Sequence, residues 1–212
     1  MSSAGTVDNP LFSWLWKAMS SHETAALRRL RAENLAGLTG RVLEVGAGTG
    51  TNFEFYPDTV SQVVAIEPES RLAEVARRAA AAASVPVSVS GDTVEEFTSA
   101  EPFDAIVCSL VLCSIDDPDV VLRQLLSVLK PGGELRYMEH VASADYREPL
   151  QRLADATVWP RLFGNCHTHR HTEEAISGSG FAVETARRVA TLPAWVPLPV
   201  AEFAIGRAVR PA

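Results

Sequence analysis

A chain of 212 residues with 47% hydrophobic and 21% charged side chains has the apolar material for a core and is too hydrophobic for a disordered polymer. At about 150 residues per domain, a single α/β domain is expected. The formal charge of −7, with no compensating basic run, argues against nucleic acid as a partner, because affinity for a phosphate backbone comes from lysine and arginine displacing counterions.

The N-terminal ten residues, MSSAGTVDNP, are polar and have neither the basic nor the apolar region of a signal peptide. A helical region follows to about Leu38, beginning with LFSWLWKAM. Those nine residues are about half of the roughly twenty that a membrane span needs. They read first as a lid helix packed over an active site, and second as an apolar face in weak contact with a membrane surface. Residues 1–38 are therefore expected to form a tail and lid helices, and 39–212 the main domain.

From Arg41 the pattern becomes strand, turn, helix, and repeats. Strands are predicted over 41–45, 60–66, 86–90, 103–110 and 134–141, with helices over 70–83 and 119–129, the second stopped by Pro131-Gly132-Gly133. This alternation implies a doubly wound, mostly parallel sheet. A helix over 150–159, a histidine-rich loop and a helix from Thr172 follow. Strands over 181–189 and 201–209 would complete seven, as an antiparallel pair at the sheet edge. The run LPAWVPLPVAEFAIG, broken by Pro193, Pro197, Pro199 and Glu202, reads as core and loop. Three cysteines, Cys108, Cys113 and Cys166, match no disulfide framework and suit a reducing cytoplasm.

The segment VLEVGAGTG places Gly46, Gly48 and Gly50 between an apolar strand and a helix. In an open parallel sheet this is where nucleotides bind, and glycine lets the backbone come close to the ligand. The dinucleotide fingerprint would need glycine where Thr51 stands. Glu67, followed by Pro68, ends the second strand 21 residues after Gly46, where its carboxylate would take both hydroxyls of a ribose. After the third strand, Asp92 would accept from an adenine amine, and the Thr93 amide would face a ring nitrogen. Each signal alone has a bland reading, a plain turn or a solvated acid; the three in register point to an adenosine site.

These residues resemble the class I S-adenosylmethionine-dependent methyltransferases, whose Rossmann-like sheet matches the predicted order. LEVGAGTGTNFEFYP, SLVLCSI, LKPGGELRYMEHV, a late Cys-His-x-x-Arg loop and a terminal GRAV resemble the methyltransferase-like family that includes the mammalian alkyl-thiol methyltransferases. The resemblance runs from about Leu11 to Val209. It implies S-adenosyl-L-methionine as cofactor and a small-molecule acceptor, most often a thiol, with a phenol, lipid amine or natural-product intermediate as alternatives. A binding protein without turnover is the third reading. Gly46, Ala47, Gly48 and Gly50 would wrap the methionine half of the cofactor, with Glu44 reaching its ammonium through water or backbone. Leu110 to Cys113 would pass beside the sulfonium. Asn52 would lie near the methionine carboxylate or serve as a structural polar residue at a helix start. The long N-terminal hydrophobic anchor of the mammalian members is lacking, so their membrane attachment is not carried over.

Methyl transfer from a sulfonium is an in-line displacement in which positioning supplies much of the catalysis. A thiol must arrive as thiolate, and a nearby imidazole helps. His140, ending the fifth strand, is the first candidate for general base or substrate contact, with a core histidine bonded to backbone as the plain alternative. His167 is the second candidate. In GNCHTHRHT, His167, His169 and His171 would share one face of a strand, a conceivable zinc arrangement. No other Cys or His pair at ligand spacing supports it, so the loop is expected to line the substrate pocket and to hold no metal. Arg170 would anchor the loop on a carboxylate, and Cys113 and Cys166 would be small buried hydrophobes.

Overall fold

The computed structural model describes residues 8–191, 195–196 and 198–212. Most of the polar N-terminal tail, and Pro193 and Pro197 of the late proline-broken run, lie outside the described residues. Two helices come first, α1 (Pro10–Ser21) and α2 (Ala25–Leu35). The Asn9 side chain accepts from Phe12 N–H to start α1, and Thr24 accepts from Leu27 N–H to start α2, so two caps divide one continuous helical pattern.

The main unit alternates β1 (Gly40–Val45), β2 (Val60–Ile66), α3 (Ser70–Ala80), β3 (Val87–Ser90), β4 (Phe103–Ser109), α4 (Pro118–Val128) and β5 (Leu129–His140). Then come α5 (Glu148–Asp155), α6 (Trp159–Leu162), α7 (Thr172–Gly178), β6 (Ala182–Ala190) and β7 (Glu202–Val209). The seven strands lie in the order β3-β2-β1-β4-β5-β7-β6. Pairing is parallel as far as β5, and β7 runs antiparallel to both β5 and β6.

Two expectations are corrected. Pro131-Gly132-Gly133 does not separate helix from strand: β5 starts at once with Leu129 paired to Phe103, and the register shifts before Ala105 pairs with Glu134. The turn is absorbed as an irregularity in the strand, with Gly132 N–H and Gly133 C=O bonded to Arg210 of the chain leaving β7. The helix expected over 150–159 is two pieces, because Pro160 cannot sit in a continuous helix interior but fits the first turn of α6.

Alternation along the central strands explains the two-sided core. On β1, Val42 packs with Leu35, Phe53 and Ala76 on one face, while Leu43 and Val45 join Leu122 and Leu125 on the other. The register brings Val45 beside Ile66 and Cys108, and Ser109 beside Met138. The carboxyl ends of β1, β2, β4 and β5 therefore share one edge of the sheet. In open α/β sheets that edge is where ligands bind.

Candidate active site

The loop after β1 depends on glycine for its path. Gly46 and Gly48 have φ of 65° and 58°, and a β-carbon at Gly46 would stand 2.5 Å from Val111 Cγ2. Ala47 is buried, its N–H bonded to Ile66 C=O, and its own carbonyl accepts from Gly50 N–H. Glu67 is also buried, and one carboxylate oxygen accepts from Gly48 N–H at 2.7 Å while the other accepts from Glu69 N–H at 3.0 Å. Burial pushes its carboxyl above the usual range, with the two N–H donors partly offsetting the shift. Pro68 sits between these contacts. The Thr49 hydroxyl inside the loop is buried without a hydrogen-bond partner, which costs free energy unless a polar group meets it.

Glu44 lies behind this loop, its carboxylate already engaged. Tyr56 O–H donates to one oxygen at 2.7 Å and Asn52 Nδ2 to the other at 3.0 Å. Asn52 also donates to Ser109 Oγ and accepts from Arg31 Nη1 at 2.9 Å, and Arg31 is paired with Glu23. Burial pushes Glu44 up to about 7. Neither Arg31 nor Tyr56 stands out along the chain: one is an arginine in an ordinary helix, the other an aromatic before a proline.

Asp92 and Thr93 follow β3 as expected. Asp92 is exposed and accepts from Ser90 Oγ at 2.5 Å. The Thr93 hydroxyl accepts from Glu96 N–H, a turn contact. Leu110, immediately after β4, has φ 61°, a left-handed backbone uncommon for leucine, held by its N–H bond to Met138 C=O.

The next turn is built by a residue the sequence reading missed. Fully buried Glu139 accepts from Val111 and Leu112 N–H at 3.0 Å and from Cys113 N–H at 3.4 Å. Burial pushes it to about 7, less than it would without those donors. Its one sequence signal was an acid inside an apolar strand, overshadowed by His140 beside it.

His140 is not bonded to backbone through the nitrogen that faces inward: its Nδ1 lies 3.7 Å from Cys166 Sγ and 3.9 Å from Cys113 Sγ, and its ring packs on Phe203. The two sulfurs are 3.6 Å apart. Both cysteines are buried, as expected of small hydrophobes, but they touch each other and an imidazole. A thiolate on Cys166 is favoured first by a hydrogen bond from Cys113 and then by His140, which holds Cys166 below the usual thiol range; the same sulfur contact, with burial, pushes Cys113 up.

The histidine-rich loop is irregular backbone: the His169 and His171 rings meet edge to face with centroids 5.3 Å apart, and the three imidazoles face different carboxylates. His167 Nδ1 lies 4.0 Å from Asp155, His169 Nε2 3.6 Å from Glu148, and His171 Nδ1 3.6 Å from Glu174. Arg170 anchors the loop, but on Ile115 C=O at 2.7 Å and not on a carboxylate. His167 N–H donates to Cys113 C=O at 2.8 Å, which seats Cys166 against the turn after β4.

Helix α1 touches both loops. Trp16 Nε1 lies 2.7 Å from where a β-carbon on Gly48 would stand, and the Phe12 ring lies 2.8 Å from the same point at Gly164. Leu11 and Trp14 on its other side are exposed. Among the described residues no helix is long and apolar enough to cross a membrane.

Residues 19–185 match the family model described as a methyltransferase domain. The chain is 30% identical to human thiol S-methyltransferase TMT1A over 185 residues, covering 82% of this chain and 75% of that protein. It is 38% identical to the ubiquinone biosynthesis O-methyltransferase of Xanthomonas campestris over 97 residues, 45% of this chain and 41% of the relative. Its fold is similar to that of the N-methyltransferase NodS from Bradyrhizobium japonicum solved with S-adenosyl-L-homocysteine, with a TM-score of 0.71, 16% identity and coverage of 96% of this chain and 100% of that one. The residues present suit such a cofactor: a loop turned by the positive-φ glycines Gly46 and Gly48, a buried carboxylate at Glu67, and an orphaned hydroxyl at Thr49 inside the loop. The chain belongs to the methyltransferase-domain family and is an S-adenosylmethionine-dependent methyltransferase.

Proposed function

We propose that this enzyme methylates a small apolar thiol. The observation that carries the reading is the match over most of the chain to a relative named a thiol S-methyltransferase, and the sulfur-and-imidazole cluster at the carboxyl edge of the sheet supports it. When bound, S-adenosylmethionine supplies an electrophilic methyl group on a sulfonium. Glu67 binds the ribose, with Pro68 shaping the turn beside it, and Asp92 and Thr93 meet the adenine. Residues 46–50 wrap the methionine half; Glu44 and Asn52, expected at its ammonium and carboxylate, are bonded to each other, Tyr56 and Arg31 and act beside the cofactor as positioning residues. Leu110 and Cys113 border the reacting methyl. His140, with His167 second, is the imidazole that favours the thiolate form of the acceptor.

Residues 10–35 act as a lid, with Trp16 over the glycine loop excluding water. Trp16→Ala is expected to raise the dissociation constant for S-adenosylmethionine about tenfold, about 1.4 kcal/mol, as read by calorimetry. Equal affinity in the variant would reject the lid role.

The acceptor is tested by S-adenosylhomocysteine release with an alkyl thiol, an aryl thiol, a phenol and an amine. Turnover confined to thiols, and rising as pH approaches the free thiol value of about 8.5, is the expected result. Turnover on the phenol alone would shift the acceptor to the O-methyl class of the Xanthomonas relative and discard the thiol reading.

A further inference from the structure

The sulfur cluster has a geometry that packing alone does not require. Cys113 Sγ, Cys166 Sγ and His140 Nδ1 form a triangle with sides of 3.6, 3.7 and 3.9 Å. Two thiolates at ~2.3 Å and one imidazole at ~2.0–2.1 Å around a tetrahedral zinc ion stand about 3.8 Å apart sulfur to sulfur and about 3.6 Å sulfur to nitrogen. Each observed side agrees with its ideal to within about 0.3 Å. These are the three side chains, among the described residues, whose ligand atoms gather closely enough to hold a metal ion.

The triangle is held by bonds that do not involve the sulfurs. Asn165 Nδ2 donates to Ser114 C=O and to Asp116, both at 2.8 Å, and Arg170 donates to Ile115 C=O. His167 N–H donates to Cys113 C=O, and Glu139 fixes the Cys113 backbone from the opposite side. Asn165, immediately before Cys166, is held at φ 65°, the left-handed region. Loop and turn are thus joined on both sides of the cluster, as a preorganised ligand set requires.

We propose that Cys113, Cys166 and His140 bind one zinc ion, with the fourth tetrahedral position open to the sulfur of the acceptor. Soft thiolates with an imidazole select zinc over hard cations such as magnesium, and three protein ligands with one open position are the usual arrangement of a catalytic zinc site. The role of the open position rests on the thiol reading above. An acceptor thiol binds there and gives its proton to solvent. Its sulfur then takes the methyl group, forming a carbon–sulfur bond as the sulfonium carbon–sulfur bond breaks. The thioether product is a weak ligand and leaves, beside S-adenosylhomocysteine. His140 acts in this scheme as a ligand through Nδ1 and not as a free base.

The test uses the full-length protein, reduced, stripped with a chelator and titrated with Co²⁺. Sulfur-to-cobalt charge-transfer absorption saturating at one equivalent, and bleached by one equivalent of Zn²⁺, is expected. Cys113→Ser and Cys166→Ser should each lose about half of that absorption while keeping parental circular dichroism. X-ray absorption of the zinc-loaded parent needs no variant and should give two sulfur and one nitrogen neighbours from the protein. Absence of the charge-transfer band in the parent, or an unchanged band in both serine variants, overturns the site. Adding an alkyl thiol should shift the cobalt bands, and an unshifted spectrum rejects the open position. Calorimetry with S-adenosylmethionine on the same samples separates the claims: cofactor binding with thiol turnover equally fast in metal-free enzyme would leave the proposed function standing and reject the role of zinc in the reaction.

Discussion

Glu67→Ala is expected to weaken S-adenosylmethionine binding by about two orders of magnitude, about 3 kcal/mol. The carboxylate ties Gly48 N–H to the end of β2 and reaches Glu69 N–H as well, so its loss frees the loop and removes the group assigned to the ribose hydroxyls. Hydrogen bonds to a charged group contribute about 1.5–3 kcal/mol each, so losing a pair of them accounts for the effect. Stability of the ligand-free protein should fall much less, because burial disfavours this carboxylate and its removal ends that cost. Calorimetry for affinity and urea unfolding for stability distinguish the two outcomes. A variant that binds as tightly as the parent would show that the ribose is held elsewhere, and one equally weakened in both measurements would mark Glu67 as structural.

The second large effect is a pH-dependent difference between the parent and Glu139→Gln. Glu139 is pushed from 4.5 to about 7, first by burial. The folded chain therefore holds that proton more tightly than the unfolded chain does. Its contribution to stability is complete below pH 4.5 and is lost as pH rises through about 7, a change of about 3 kcal/mol. Glutamine does not titrate. It also presents an amide N–H₂ where the carboxylate accepts from the turn 111–113, so the variant is less stable than the parent at low pH, and the gap narrows by about 3 kcal/mol between pH 4.5 and 8. Urea unfolding of both proteins under reducing conditions measures the gap at each pH. A constant gap would mean that Glu139 titrates alike in the folded and the unfolded chain. Comparing parent and variant cancels the other titrating groups, including Glu44, which is raised for the same reason.

The alternation of strand and helix from Arg41 to the fifth strand was readable because each parallel strand is a short apolar run and each helix has its own cap and periodicity. In the structure the Glu69 side chain caps α3 and the Asp117 side chain caps α4. The predicted strand over 60–66 and the observed β2 coincide, whereas Pro131-Gly132-Gly133 misled because glycine in a strand marks an irregularity as readily as an end.

The sheet, the glycine loop and the placing of Glu67 at the adjacent strand end were legible in the chain, since each is a local feature repeated in the regular βαβ frame. Which side chains meet across that frame follows from how distant segments pack together. Cys113, His140 and Cys166 have no metal-ligand spacing along the chain, and they converge because β4 and β5 end side by side and a later loop folds back on both. His167, His169 and His171 have the suggestive spacing, yet irregular backbone has no fixed side-chain period: the His169 and His171 rings meet edge to face, and each imidazole faces a different carboxylate. Arg31, Tyr56 and Glu139 were hidden for the same reason: a buried polar group takes its meaning from its hydrogen-bond partners, and theirs lie on other elements.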